Sequence, residues 1–470
     1  MELQAAYGQC LHRLRIASRH LGLSATEERL GRICELVVQP LTGPWRLYHT
    51  IEHIFEVGGD DDPLEMVAAL FHDVVYIQVD LSVNFNLARY LTPYVREVKP
   101  LAADMQEGLV IRDRCEVGED PLFELVCTVF GIAPGDRLAP HGGQNEFLSA
   151  LVAAKVLEGV FPPAVIAQIV ACVEATIPFR AIAADGEHSC SDRLYGRLRA
   201  ANDGMGLGLD EQALHDAVRR AVRLANRDVE GFAVEDPGVF LDNTWNLLPE
   251  TNHALLASSA YTVRDYRVSL QRMRGFLLHL DPRTVFQRFD DEPPAQIHRE
   301  RIERVRRNLQ VAARYLGAKY VAIAFLEALA MRIGPDLPLS LLMGSLPAPG
   351  VPPGPTLEGF LPPRGGELAG DVIDETVFAL LERGRATAVS YDLRHSPLAS
   401  FLARALGLGA LLELLPEAER LLECFDSAAT AEQKRGRGEA FLQRFPAPVR
   451  TAVSEAARKV FAHRAAALLG

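Results

Sequence analysis

The sequence predicts an all-α protein, and three observations carry that expectation. Apolar residues recur at i, i+3, i+4 and i+7 in LHRLRIASRHL, EERLGRICELVV, PLEMVAALFHDVVY, NEFLSALVAAKVLEGV, AVIAQIVACVEA and RERIERVRRNLQVAARYL. Helix-start signals precede several of these stretches: Ser24-Ala25-Thr26-Glu27 has the pattern of a capping box, and Pro63 stands at a first-turn position. Alternating β-branched runs are almost missing, with VCTVFGI at 126–132 the one short strand candidate.

With 470 residues the chain is too long for a single compact core. Proline and glycine crowd the stretch from Gly334 to Gly370, so residues 333–370 are expected to be a linker. That places a first module at 1–332 and a helical module at 371–470, the latter a surface for a second copy of the chain or another protein partner. Lys and Arg number 49 against 61 Asp and Glu, a net charge of −12. Such a balance argues against nucleic acid as a partner, because sequence-independent binding takes a dense basic face. Seven cysteines without a CxxC pair argue against a disulfide framework and a four-cysteine zinc site. The start, MELQAAYGQC, lacks a basic segment and an apolar run, and prolines interrupt the long uncharged stretches. A cytoplasmic chain without a membrane span is therefore expected.

Three groups of residues have the makings of chemistry. In Tyr48-His49-Thr50-Ile51-Glu52-His53 the two histidines are four apart, which on a helix puts them on one face. Phe71-His72-Asp73 ends a helix whose preceding turns, MVAALF, are apolar all round. An imidazole and a carboxylate placed there are costly unless paired or metal-bound. Asp228, in LANRDV, sits inside an apolar helical pattern, with Arg227 beside it as an available salt-bridge partner. Together the three groups offer imidazoles and carboxylates, a mixed nitrogen and oxygen set suited to a divalent metal with open positions.

The ordered motifs Tyr48-His49…His53, Phe71-His72-Asp73…Tyr76 and Asn145-Glu146…Ser149-Ala150 resemble the HD superfamily of metal-dependent phosphohydrolases, over roughly residues 10–250. The resemblance implies an HD-domain helical bundle holding one divalent metal ion on His53, His72, Asp73 and Asp228. His49 matches an additional histidine of this branch, for which a role outside the ligand set is expected. Asn145 and Glu146 match a pair facing the same cavity. The substrate implied by the resemblance is a phosphomonoester or phosphodiester of nucleotide type, with Glu146, His49 and Asp73 as the catalytic set. Arg46, Asn145 and Arg180 are the substrate-binding candidates, the two arginines as a bidentate phosphate clamp.

Departures from the pattern shape further expectations. Tyr76 stands where many of the nucleotide-hydrolysing enzymes carry an acid, so the general acid falls to Glu146. Phe179 stands where this branch has a histidine. Residues 82–142 look like an insertion, and VREVKPLAADMQEGLVIRDR within it is expected to be a solvated helix capping the pocket. Two other classes remain open. One is a ligand-sensing regulatory protein with an HD-like pocket; the other is a di-iron oxygenase of the same fold, which would draw on His141, His188 or His215.

Overall fold

The computed structural model describes residues 1–23, 25–98, 108–140, 142–181, 189–257, 260–334, 336–346, 354–363 and 370–469. Helices build nearly all of it, as the periodicity predicts. Local chemistry fixes where the helices start. The helix Ile51–Gly58 is capped by Thr50, whose side chain accepts from the His53 amide at 3.3 Å. The helix Pro63–His72 begins with Pro63 behind Asp62, whose carboxylate accepts from the amides of Leu64 and Glu65. Asp210 caps the helix Glu211–Asp228 through the Ala213 amide at 2.8 Å. Thr26 caps the helix Glu27–Leu41; Ser24, the residue expected to open that capping box, lies outside the described residues.

The chain divides into two units, Met1–Ala233 with Asp281–Arg304, and Val234–Leu280 with Val305–Gly470. In the first, the helix Pro163–Ala175 is central. It packs against Pro63–His72, Pro121–Phe130, Gln144–Leu157, Cys190–Met205 and Glu211–Asp228. Ile166, Ile169, Val170 and Val173 are fully buried among these helices. Burying such a side chain contributes about 1.5–3 kcal/mol. In the second unit, Val263–His279, Val372–Arg383, Pro397–Leu406, Leu415–Asp426 and Ala447–Leu469 are the main helices, together with the greater part of Ala295–Ala330.

Four expectations need correction. The boundary at 332 is not where the chain divides, because the 36-residue helix Ala295–Ala330 starts in one unit and continues in the other. Residues 234–280, placed in the first module by the sequence, belong to the second unit. Second, the described parts of 333–370 do not form a free linker. Leu339–Met343 and Leu357–Phe360 pack on Ala447–Leu469, with Leu342 and Leu357 buried. Gly344 makes this turn with φ +94°, and a Cβ there would come within 2.6 Å of the Pro355 carbonyl oxygen.

Third, the expected capping helix within 82–142 is a small antiparallel sheet. Val95–Val98 pairs with Gly108–Ile111, Val95 opposite Ile111, and Arg137–Leu138 adds a third short strand. Val95, Val110 and Ile111 turn inward while Arg96 and Glu97 stay in water. Residues 99–107 lie outside the described residues. The helices of this insertion, Phe85–Leu91 and Pro121–Phe130, pack on Gln144–Leu157. Fourth, the strand candidate at 126–132 is the end of the helix Pro121–Phe130. Asp120 and Pro121 start it and Gly131, in the left-handed conformation, stops it, so end signals override the β-branched content. No single helix among the described residues is long and apolar enough to cross a membrane.

Candidate metal centre

Three helix ends meet at one point in the first unit. His53 lies in the first turn of Ile51–Gly58, His72 is the last residue of Pro63–His72 with Asp73 as its cap, and Asp228 closes Glu211–Asp228. One donor atom from each of these four residues lies within 4.8 Å of the others. Ligand atoms about 2.1 Å from a shared ion are at most ~4.2 Å apart, so binding needs only a sub-ångström contraction. Among the described residues this is the one such group of three or more donors.

The hydrogen bonds set the protonation of the donors. His72 Nδ1 donates to the Ala69 carbonyl at 2.9 Å, which leaves Nε2 with a lone pair in the neutral ring. That Nε2 is buried without a hydrogen-bond partner. It nonetheless faces Asp73 Oδ2 at 3.1 Å and Asp228 Oδ1 at 3.5 Å. Three acceptors converging in a buried place repel one another until a proton or a cation sits between them. His53 Nε2 adds to the same point, 3.0 Å from Asp228 Oδ1.

The electrostatics follow this crowding. Burial works against the His72 imidazolium, but Asp73 and Asp228 outweigh it and raise the His72 pKa well above its usual value. Burial raises Asp73, yet His72, His49 and His53 together hold it well below the usual carboxylate range. Asp228 is likewise raised by burial and pulled down further by the His53 and His72 rings facing it, to about 2. Glu146 goes the other way. Burial, reinforced by the charges of Asp73 and Asp228, pushes it up to about 7.

No family model, curated protein or solved structure matches the chain. The chemistry must therefore be read from the side chains themselves. Arg227 does not pair with Asp228, as their adjacency invited. Its guanidinium donates to the Val57 carbonyl at 2.6 Å, to that of Gly58 at 3.3 Å and to Glu65 Oε2 at 2.5 Å. Arg227 thus ties the end of the His53 helix and the first turn of the His72 helix to the helix of Asp228. Glu65, buried in the His72 helix, also accepts from Arg223 Nε at 2.9 Å. Neither role was visible in the sequence, although a glutamate inside an apolar helical run is a signal that something must neutralise it.

The remaining candidates sort by what they touch. His49 is not on the helix with His53: it precedes the Thr50 cap, so the shared-face argument does not apply. Its ring centroid still lies 6.4 Å from that of His53 and 4.3 Å, edge to face, from that of Tyr76. Arg46 is no phosphate clamp. Its side chain is fully buried, with Nε and Nη2 on Asp80 at 3.0 and 2.6 Å and Nη1 on the Asp73 carbonyl at 2.8 Å. Its three nitrogens are committed to fixing the backbone at Asp73. Asn145 is also a positioning residue rather than a substrate contact. Its Oδ1 accepts from the Ile77 amide at 3.2 Å and its Nδ2 donates to Gln78 Oε1 at 2.7 Å. Ser149 Oγ accepts from the Val75 amide at 3.1 Å, so the helix Gln144–Leu157 braces the segment leaving Asp73.

That helix starts at Gly143, where φ is +94° and a Cβ would come within 2.6 Å of Ile177 Cδ1. The close approach brings Glu146, in the first turn, beside the residues that follow Pro163–Ala175. Arg180 is among those, paired with Glu174 Oε1 at 2.6 Å. Asn226 was also missed. Its side chain exchanges two hydrogen bonds with the Gln287 backbone, at 3.0 and 2.8 Å, and so fastens the returning segment Asp281–Arg304 to the Asp228 helix. His215 pairs with Asp290 at 2.7 Å and lies outside the four-residue group. His141 and His188 lie outside the described residues.

Proposed function

We propose that this chain is a metal-dependent phosphohydrolase of the HD type, acting on a phosphomonoester or phosphodiester of nucleotide-like chemistry. The observation that carries the reading is the buried His72 Nε2, which faces the carboxylates of Asp73 and Asp228 at 3.1 and 3.5 Å with no hydrogen-bond partner. A divalent ion held by His53, His72, Asp73 and Asp228 would neutralise charge on a phosphate oxygen and lower the pKa of a water. Neutral imidazoles suit this role, because they bind without cancelling the ion's charge. Glu146, with a pKa near 7 in the ion-free protein, can hand a proton to a leaving alkoxide. Arg46 and Asn145 act before any substrate arrives, by fixing the backbone on both sides of Val74.

The test is elemental analysis of the purified full-length chain with a hydrolysis screen of phosphate monoesters, diesters and nucleotides. Metal retention and turnover that are both lost in His72→Ala support the reading. Hydrolysis that survives in that variant, or failure to take up any divalent ion, overturns it. A second reading, a ligand-sensing protein, is favoured by Tyr76, whose ring packs on His49 at the position where an acid would serve catalysis. Metal binding without turnover on any phosphate ester would select it.

A further inference from the structure

A cavity of about 330 Å³ opens beside the metal centre within the first unit. Ala225 and Val229, which bracket Asp228 in sequence, line it, together with the turn that carries Phe179 and Arg180 and the returning segment Arg283–Arg288. Its size falls in the range of small-molecule sites, roughly 300–1,000 Å³. Ile177, Phe179, Val285 and Phe286 give it apolar walls. The charged lining is one-sided: Arg180, Arg283 and Arg288 against the single carboxylate of Asp192.

Arg180 is the member of this lining whose hydrogen bonds are incomplete. Its Nη1 donates to Glu174 Oε1 at 2.6 Å, and Arg197 Nη2 donates to the same oxygen. Two guanidiniums therefore share one buried carboxylate oxygen. Nε and Nη2 of Arg180 are buried with no protein partner, as are Arg197 Nε and Glu174 Oε2. Native interiors seldom leave such groups unmet, since an unsatisfied buried donor costs about 1–3 kcal/mol and a charged one more. The other cations of the wall are occupied. Arg283 is held by Asp281 at 2.6 Å, and Arg288 Nε donates to the Pro293 carbonyl at 3.3 Å. The backbone is strained at the same place: Phe179 has φ +51°, a conformation unfavourable for a bulky side chain and commonly kept where a site requires it.

We infer that this cavity is a binding site for an organic anion, a carboxylate or phosphate on a flat apolar body, whose charged end pairs with the Nε and Nη2 edge of Arg180. The planar fork of a guanidinium matches two oxygens of either group, and the apolar walls take the body. The site stands on the cavity and on Arg180, and does not require an ion at the neighbouring four residues.

Calorimetric titration of the full-length chain with phenyl phosphate, benzoate and inorganic phosphate tests this, in the protein as purified and again after chelation. At least one of the two aromatic anions is expected to bind with a Kd below about 1 mM, unchanged by chelation and at least ~10-fold tighter than inorganic phosphate. Which of the two binds tighter tells phosphate from carboxylate recognition. Arg180→Gln should weaken binding at least ~10-fold with metal content unaltered, whereas Arg283→Gln should leave it as it is. Ala181→Trp, at an exposed position of the lining, should block the cavity without disturbing the core, and decides the matter should Arg180→Gln fail to fold. Binding that disappears on chelation belongs to the metal centre and overturns the proposal. So does binding untouched by Arg180→Gln or by Ala181→Trp, binding of inorganic phosphate as tight as that of the aromatic anions, or no binding of any probe.

Discussion

Each of the two units buries a knot of charge, and the knots are finished differently. In the second unit Asp392 Oδ2 accepts from Trp245 Nε1 at 3.0 Å, Tyr266 OH at 2.8 Å and Lys319 Nζ at 3.3 Å. Lys319 also donates to Ser396 Oγ at 3.1 Å. Arg385 spends all three nitrogens, on Asp242, Tyr315 and the Leu393 carbonyl, and lies 4.2 Å over the Trp245 ring. No atom of Asp392, Lys319 or Arg385 is buried without a partner. In the first unit, His72 Nε2 and two nitrogens of Arg180 are. Buried charge by itself therefore says little about function. A closed network specifies a core, while one with atoms left over leaves positions that a group from outside the chain could fill, as proposed above for the first unit.

The comparison can be broken most directly at its two centres. His72→Ala should abolish metal retention and lower hydrolysis more than ~100-fold, beyond the loss expected for a positioning partner; elemental analysis and turnover report it. Its folding should survive, since the helix keeps its apolar contacts. Asp392→Ala should do the reverse. Removing the shared acceptor strands the buried Lys319 ammonium, at a cost of about 3–5 kcal/mol, read by denaturant unfolding, with metal content per folded chain unchanged. A stable Asp392→Ala protein would show that the second knot is not closed in the sense argued.

Smaller effects sharpen the contrast. Arg227→Gln touches no ligand atom but unties three ligand-bearing helices, so metal affinity should fall ~10- to 100-fold, measured by competition with a chelating dye. His49→Gln should keep the metal and lower turnover by at most a similar factor, since its ring lies outside the four-donor group. The least effect concerns pH. Glu146 is raised from 4.5 to about 7 in the fold, so between those values the folded chain binds more protons than the unfolded one. Stability of the ion-free protein should therefore decline as pH rises through that window, by at most ~3 kcal/mol. Glu146→Gln should flatten the decline, and an unchanged slope would reassign it to another group.

The sequence announced the helices well, because apolar spacing and end caps act locally. His72 and Asp73 stood out for a physical reason: polar residues closing a wholly apolar helix need a partner. Asp228 was harder, since nothing near it in sequence says which distant helices it meets, and only the likeness of the motif order selected it. Arg46 was misjudged because sequence does not distinguish a buried arginine from an exposed one. The strands at 95–98 and 108–111 are four residues each, too short for alternation to stand out from charge patterning. The division of the chain was hidden for a related reason. One of its three crossings runs through a helix with no proline or glycine there, and the other two are short turns that composition does not set apart from any other loop.

The Asn226–Gln287 clamp has a consequence for synthesis. All four candidate metal ligands have been made by residue 228, yet the wall they share with Gln287 arrives 61 residues after Asn226. The intervening stretch, 234–280, goes to the other unit. On the ribosome, the nascent first unit must therefore wait, unfinished on its most polar side, while the chain begins its second unit and returns. A chain cut after Ala233 would carry the ligands but leave the Asn226 amide facing water. Neither unit can be transplanted as a single continuous cassette, and exchanging the second for another domain would have to splice the chain in three places, after Ala233, before Asp281 and after Arg304.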